Sequence, residues 1–257
     1  MYLKIISSNI RFDDSSDKDH RWEDRRPILS ECLLQFAPDL IGTQEGRQPQ
    51  ILELAQELEP LNLICSHRDW IEKRMYPCFF YNPNTIEILQ SGDIWLSDTP
   101  NIPGSSFEGS MFPRLCTWLL ASWKLHKTLI FAVNTHLDHQ QTETRQKQIG
   151  VLLSEIQKIK PPDTLALLMG DFNEKPGDPV YQKVQMSSFP WRDPWIEHDK
   201  KEEESYHNFR GKLKSGHRID WLWVDKRLKC KDIFLDKSSD NGKYPSDHFP
   251  LKTILSL

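Results

Sequence analysis

Eleven short apolar runs set the limits on what this chain can become. They are Tyr2–Asn9, Leu40–Thr43, Leu61–Cys65, Cys78–Tyr81, Thr85–Leu89, Thr117–Lys124, Thr128–Asn134, Thr164–Met169, Ile219–Val224, Lys229–Phe234 and Leu251–Leu255. Each is rich in Ile, Leu, Val, Phe or Trp and is bounded by Pro, Gly, Asn or Asp, which marks strands rather than helices. Two neighbouring pairs read as hairpins: Cys78–Tyr81 with Thr85–Leu89 around Asn82–Pro83–Asn84, and Thr117–Lys124 with Thr128–Asn134. Helical spacing is rarer. Pro27 suits a helix start, followed by Ile28, Leu29, Cys32, Leu33 and Phe36. Ile51, Ala55 and Leu58 repeat the pattern, as do Ile149, Leu152, Leu153 and Ile156, and a short helix is expected over Pro179–Val184. Many strands with few helices predict an α/β sandwich, two packed sheets with helices outside. A barrel fits less well, because helices do not recur after each strand.

At 257 residues, with 38% hydrophobic side chains, the chain suits one large domain spanning residues 1–257. Its 33 basic and 37 acidic side chains give a net charge of −4, which argues against wrapping an extended nucleic-acid duplex. No apolar run reaches membrane-spanning length, and the opening MYLKIISSN lacks the pattern of a signal peptide. Cys32, Cys65, Cys78, Cys116 and Cys230 are odd in number and widely spaced, so free thiols in a reducing compartment are expected. The resulting expectation is a cytoplasmic monomer with no membrane and no obligatory protein partner.

Chemistry gathers at the ends of the apolar runs. Six places stand out: Ser8–Asn9, Gln44–Glu45, Asn134–Asp138, Gly170–Asn173, His217–Asp220 and Ser246–His248. Singly, each reads as a turn, since Asn and Asp end strands routinely. Together they offer the carboxylates of Glu45, Asp171, Asp220 and Asp247, the amides of Asn9 and Asn173, and the imidazoles of His136 and His248. An oxygen-rich set without cysteine suits a hard cation, Mg²⁺ or Mn²⁺ in its place, better than zinc. Such a cation neutralises phosphate charge and stabilises a leaving oxygen, and a histidine paired with a carboxylate can be held as a cation or a base. These are the parts of a phosphoester hydrolase. Asp220 could instead pair with Arg218, and His136 could be a satisfied core histidine. Arg114 is a candidate for anion contact. Asp138 and His139 either brace the loop beneath His136 or cap the next helix. Trp22, Trp95 and Trp191 lie in or beside loops, where one could line a pocket.

The segments SSNIRF (Ser7–Phe12), IGTQEG (Ile41–Gly46), NTHLDH (Asn134–His139), LMGDFN (Leu168–Asn173), HRIDWLWV (His217–Val224) and SDHFPL (Ser246–Leu251) follow one another in the order and separation of a known family. From about Ile5 to Leu251 the chain resembles the endonuclease/exonuclease/phosphatase superfamily, and within it compact bacterial members with the W-E-x-R-R-P and W-L-S-x-T-P segments seen at Trp22–Pro27 and Trp95–Pro100. The resemblance implies the deoxyribonuclease I-like fold: a four-layer α/β sandwich of two mostly antiparallel sheets flanked by helices. It implies Glu45 as principal metal ligand, with Asn9 and Asp247 in support. Asp171 corresponds to the residue that orients or deprotonates the attacking water, and Asn173 to its phosphate-contacting partner. His248 corresponds to the phosphate-facing histidine, Asp220 to its orienting carboxylate, and His136 to the second histidine of the site. Asn9, Arg114, Asn173, His136 and His248 are the expected substrate contacts. One position departs from the pattern: where relatives place a glutamate before the Pro77–Tyr81 strand, this chain has Met75, with Glu72 nearby. The expected activity is Mg²⁺-assisted hydrolysis of a phosphodiester, exonuclease-like, on a phosphorylated small molecule or a short single-stranded nucleic acid. A sugar- or inositol-phosphate phosphomonoesterase is the alternative, and an inactive binding module of the same fold is a third reading.

Overall fold

The structure, a computed structural model, describes residues 2–211 and 216–257. In chain order its elements are β1 (Leu3–Asn9), a short 3₁₀ segment (Ser15–His20), α1 (Trp22–Gln35), β2 (Leu40–Gly46), α2 (Gln48–Glu57), β3 (Asn62–Ile64), β4 (Tyr76–Tyr81), β5 (Ile86–Trp95), β6 (Leu115–Trp123) and β7 (Thr128–His136). Then follow α3 (Thr142–Ile159), β8 (Leu165–Asp171), α4 (Pro179–Gln185), β9 (Trp191–Arg192), α5 (Pro194–Glu197), β10 (Asp220–Asp225), β11 (Lys229–Leu235) and β12 (Leu251–Ser256).

The strands make two six-stranded sheets, ordered β11-β12-β1-β2-β4-β3 and β5-β6-β7-β8-β10-β9. Neighbours are antiparallel except for β1 with β2 and β7 with β8. Successive side chains of a strand point to opposite faces, and in the central strands both faces are covered. Leu3 and Ile5 of β1 join Leu167 and Met169 of β8 between the sheets. Ile6 and Ile41 instead face Leu29 and Leu33 of α1 and Ile51 and Leu54 of α2. On the far side, Ala166, Leu168, Trp221 and Trp223 meet Ile149 and Leu152 of α3 and Val180 and Tyr181 of α4. This is the expected four-layer sandwich, and burial on both faces explains why the strands read as continuous apolar runs.

Two local expectations fail. The Cys78–Tyr81/Thr85–Leu89 hairpin does not form: β4 pairs with β2 and β3 in one sheet while β5 pairs with β6 in the other, so Asn82–Asn84 carries the chain between layers. The Thr117–Lys124/Thr128–Asn134 pair does form, as β6 and β7. Pro27 does not start its helix. α1 begins at Trp22, more than a turn earlier, and Pro27 lies inside it. The reason is tertiary: Trp22 and Arg25 both bury themselves from the extra turn, which outweighs proline's poor fit inside a helix.

Candidate active site

The sheet registers bring the polar strand ends to one place. Asn9 lies opposite Gln44 in the parallel β1–β2 pair, which sets it beside Glu45. His136 lies opposite Asp171 in the parallel β7–β8 pair, and Asp220 lies opposite Asp171 across the antiparallel β8–β10 pair. Because β1 and β2 pack over β8, with β1 also against β10, these ends share one edge of the sandwich. Two backbone features shape the edge. An irregularity after Thr43 turns Glu45 into the left-handed region, at φ 69°. Gly170, at φ 147°, lets β8 come so close to β7 that a Cβ would sit 2.0 Å from the Thr135 carbonyl oxygen. The segment before β12 adds Asp247 and His248, and His248 bridges to Tyr206.

One network links these side chains. Asn9 Nδ2 donates to Glu45 Oε1 at 3.1 Å and to Asp171 Oδ2 at 2.9 Å. The second Glu45 oxygen accepts from the Phe12 amide at 3.1 Å. Asp171 Oδ1 accepts from the Asn173 amide at 2.9 Å. His248 Nδ1 lies 2.8 Å from Asp220 Oδ2, and its Nε2 lies 3.8 Å from Asp171 Oδ2. The other Asp220 oxygen is buried without a hydrogen-bond partner. Arg114 Nη1 lies 2.9 Å from His136 Nδ1. A guanidinium only donates, so Nδ1 accepts, and Nε2 lies 3.4 Å from Asp171 Oδ2. Asn173 Nδ2 lies 3.0 Å from that Nε2 and donates to the Leu137 carbonyl at 3.1 Å.

The electrostatics divide the two histidines. Burial alone would lower His248, but the carboxylates of Asp220, Asp171 and Asp247 outweigh it and raise the imidazole to about 10, so it stays charged. Burial, with Arg114 and His248 adding positive charge, holds His136 well below the ordinary histidine value, so it stays neutral. Burial and the nearby Asp220 push the Asp171 carboxyl up to about 7. Burial and Glu45 push Asp247 up as well, against the pull of His248. Acids raised in this way are desolvated and crowded by like charge.

The donor set fits a divalent cation. Glu45, His136 and Asp171 offer ligand atoms within 4.8 Å of one another, dominated by carboxylate oxygen. A second group, Asp171, Asp220 and His248, meets the same distance criterion. It fits poorly, because its imidazole is already a cation held by Asp220. Asp247 is outside both groups but lines the same cavity.

That cavity, about 360 Å³, is walled by Glu45, Asp171, Asp247, Asn173, His136 and His248, with Arg11 and Arg114 as its cations. Arg114 is 4% exposed, its Nε is unpartnered, and among the described residues no carboxylate lies within ion-pair distance of it. Apolar surface comes from Phe12, Phe112, Tyr206, Ile219 and Met75, with His139 stacked on Phe112. None of the candidate tryptophans lines the cavity: Trp22 of α1, Trp95 of β5 and Trp191 of β9 are buried in the core. Phe12 and Phe112 escaped sequence reasoning, although each has an arginine close by in sequence, Arg11 and Arg114, and each guanidinium packs on its ring. Met75 does line the cavity, whereas Glu72 is exposed and faces Lys73.

The surrounding residues resolve the remaining alternatives. Arg218 pairs with Asp193 and Glu202 rather than with Asp220, which leaves Asp220 to His248. Asp138 accepts from the amides of Gln140, Gln141 and Met111, so it braces the loop beneath His136. Arg145 is buried against Glu174. His217 is exposed.

A sequence profile described as the Endonuclease/Exonuclease/phosphatase family matches residues 6–248. Among solved structures, an endonuclease/exonuclease/phosphatase from Bacteroides vulgatus superposes with a TM-score of 0.90 at 23% identity, covering 100% of this chain and 99% of that one. A mannosyl-6-phosphatase of Bacteroides thetaiotaomicron superposes at 0.87 with 24% identity, covering 99% and 100%. Among curated proteins, nocturnin of Xenopus laevis is 23% identical over 256 residues, covering 90% of this chain and 64% of its own length. The chain thus spans about two thirds of the curated relatives it matches.

Proposed function

The chain belongs to the endonuclease/exonuclease/phosphatase family, and from that premise we propose that it hydrolyses phosphoesters with the help of a divalent cation, Mg²⁺ or Mn²⁺. One observation carries the reading: a ring of crowded buried acids faces two buried cations, Arg114 and charged His248, across a single cavity. The acids suit a metal and the cations suit a phosphate, so the cavity is polarised as a metal–phosphate pair would require.

We assign Glu45 as the main metal ligand, with Asn9 and Asp247 beside it. When bound, the cation supplies charge neutralisation for phosphoryl oxygens and for the leaving oxygen. The rest falls to the chain. Arg114, His136 and the Nε2 proton of His248 orient the phosphate, and Asn173 adds its amide. Asp171 takes the proton of a water as that oxygen bonds to phosphorus and the opposite P–O ester bond breaks. Its raised pKa makes it a competent base near neutrality. Asp220 holds His248 in its charged form and fixed orientation.

The substrate we favour is a phosphodiester, in a phosphorylated small molecule or at the end of a short single-stranded nucleic acid. The second reading is a phosphomonoesterase for a sugar or inositol phosphate. A cavity of about 360 Å³ with Phe12, Phe112 and Tyr206 on its walls favours a phosphate carrying one ring. We place the protein as a monomer in the cytoplasm. The five cysteines are free, and no described helix is long and apolar enough to cross a membrane.

The test is a panel of dinucleotides, short DNA and RNA, and sugar phosphates, run with Mg²⁺ and with chelator. Metal-dependent turnover on at least one class is expected, with oligonucleotide shortening separated from phosphate release. No turnover across several metals and all classes would overturn hydrolysis and leave a binding module.

A further inference from the structure

Arg25 is a buried cation that this chemistry does not use. It lies in the first turns of α1, is 2% exposed, and among the described residues has no carboxylate within ion-pair distance. Its guanidinium is spent on backbone oxygen instead. Nε donates to the His20 carbonyl at 2.8 Å and Nη2 to the Arg11 carbonyl at 2.9 Å. Nη1 forks between the carbonyls of Ile10, at 2.8 Å, and Pro245, at 3.0 Å. A buried cation is costly unless its donors are satisfied, and four carbonyls from three chain segments supply that.

Those segments are the ones that carry the metal side of the site. Ile10 and Arg11 directly follow Asn9, and Pro245 precedes Asp247 by two residues. Ser246 Oγ donates to the Asn9 carbonyl at 2.6 Å, a second tie between the same two loops. Asn9 then passes its position on to Glu45 and Asp171 through its amide. The rest of the Trp22–Pro27 segment anchors the helix that delivers Arg25. Trp22 Nε1 donates to Glu53 of α2 at 2.7 Å, and Arg26 pairs with Glu53 and Glu57. Two of the segment's side chains therefore face the neighbouring helix, and one reaches under the site.

We infer that Arg25 is a positioning residue: by clamping the loop after β1 to the loop before β12, it sets the spacing of Asn9 and Asp247 and thereby the affinity of the site for its cation. The inference rests on the metal site proposed above. It also gives the Trp22–Pro27 segment a role that the reaction itself does not.

The test is Mn²⁺ binding to the full chain, followed by electron paramagnetic resonance without substrate, alongside melting temperature and near-ultraviolet circular dichroism. Arg25→Met is expected to weaken Mn²⁺ binding by about tenfold or more, the usual cost of removing a group that orients metal ligands. Arg25→Lys keeps the cation but replaces three nitrogens that reach four carbonyls with one, so it is expected to recover only part of the affinity. Arg68→Met, which removes a buried arginine from a different cluster, is expected to lower the melting temperature and leave Mn²⁺ affinity alone. A folded Arg25→Met with wild-type affinity would overturn the clamp while leaving the metal site standing. Equal affinity losses in Arg25→Met and Arg68→Met would also overturn it, as general destabilisation. If Arg25→Met does not fold, Arg25→Lys decides: wild-type affinity overturns the clamp and a weaker affinity supports it. A wild-type protein that binds no Mn²⁺ would remove the metal site and the clamp together.

Discussion

Asp93, partly buried, and Asp171, fully buried, lie on strands of the same sheet, and their surroundings send them in opposite directions. Asp93 accepts from Arg68 Nε and Nη2, each at 2.7 Å, and from Thr117 Oγ1 at 2.7 Å, with His67 Nε2 at 3.2 Å. Burial would raise its carboxyl, but the hydrogen bonds and charge of Arg68 and His67 outweigh that and lower it to about 2. Arg68 also donates to the Pro77 carbonyl, so the cluster ties β4 of one sheet to β5 and β6 of the other. Asp171 has an amide and a backbone N–H for partners, and although charged His248 lies 3.8 Å away, burial together with Asp220 and Glu45 still raises its carboxyl to about 7. The same residue type is thus a completed ion pair in one place and an acid crowded by other acids in the other. An acid finished by a guanidinium braces the fold. An acid crowded by other acids is suited to take a cation from outside.

The sharpest way to break this contrast is to neutralise each acid in turn. Asp171→Asn should lower kcat by roughly 10²–10⁴-fold, the usual contribution of a positioned proton acceptor. Its melting temperature should hold or rise, because a crowded charge is removed. Asp93→Asn should do the reverse, costing about 3–5 kcal/mol in denaturant unfolding because it strands Arg68, while kcat per folded molecule persists. If Asp171→Asn is as destabilising as Asp93→Asn, the distinction fails. His248→Ala should match Asp171→Asn in lost turnover with the fold retained, measured by steady-state kinetics and circular dichroism.

A smaller effect is expected from the metal alone. A cation that binds only the folded site stabilises it by about 2.7 kcal/mol when free metal is 100 times its dissociation constant. Calorimetry should show the melting temperature rising with Mg²⁺ and falling back with chelator. Glu45→Ala should lose most of that rise.

The pH dependence of stability separates the two regions further. Asp171 ionises near 3.8 when unfolded and near 7 in the folded site, so the folded state holds the proton more tightly. Its ionisation therefore destabilises the fold increasingly as pH climbs from about 3.8 to about 7. His248 acts in the same sense at higher pH: its contribution is whole below 6.5 and is lost as pH passes through about 10. Asp93 contributes fully above 3.8 and loses its contribution as pH falls through about 2. Metal-free protein should therefore melt at progressively lower temperature between pH 5 and pH 9, to a first approximation, and Mg²⁺ should flatten that slope. A slope unchanged by Mg²⁺ would separate the acids from the metal. The smallest effect belongs to Glu72→Gln, which should shift stability by no more than about 0.5 kcal/mol, as expected of an exposed site, with turnover unchanged.

The site was more legible in the sequence than the connections that build it. Asn9, Glu45, His136, Asp171, Asp220 and His248 each interrupt or end an apolar run, and charge in such a place demands a reason. Sheet membership left no such mark. β4 and β5 are close in sequence and joined by a turn-like Asn-Pro-Asn, yet they lie in different sheets, and β4, buried along nearly its whole length, carries no alternation to say which layer it faces. Arg25 and Arg68 were hidden for a related reason. Each gathers partners from segments distant in sequence, and Arg25, which donates to backbone carbonyls alone, leaves no trace in its partners' side chains. Phe12 and Phe112 were overlooked in favour of the tryptophans, whose size draws them into the core rather than to the cavity wall.

The measurement closest to the centre of this account is the carboxyl ¹³C titration of Asp171 by nuclear magnetic resonance, in metal-free protein and again with Mg²⁺. Without metal the Asp171 carboxyl should titrate near 7, and with Mg²⁺ it should move well below that as the surplus negative charge is neutralised. An Asp171 that titrates in the ordinary carboxylate range and ignores Mg²⁺ would contradict it.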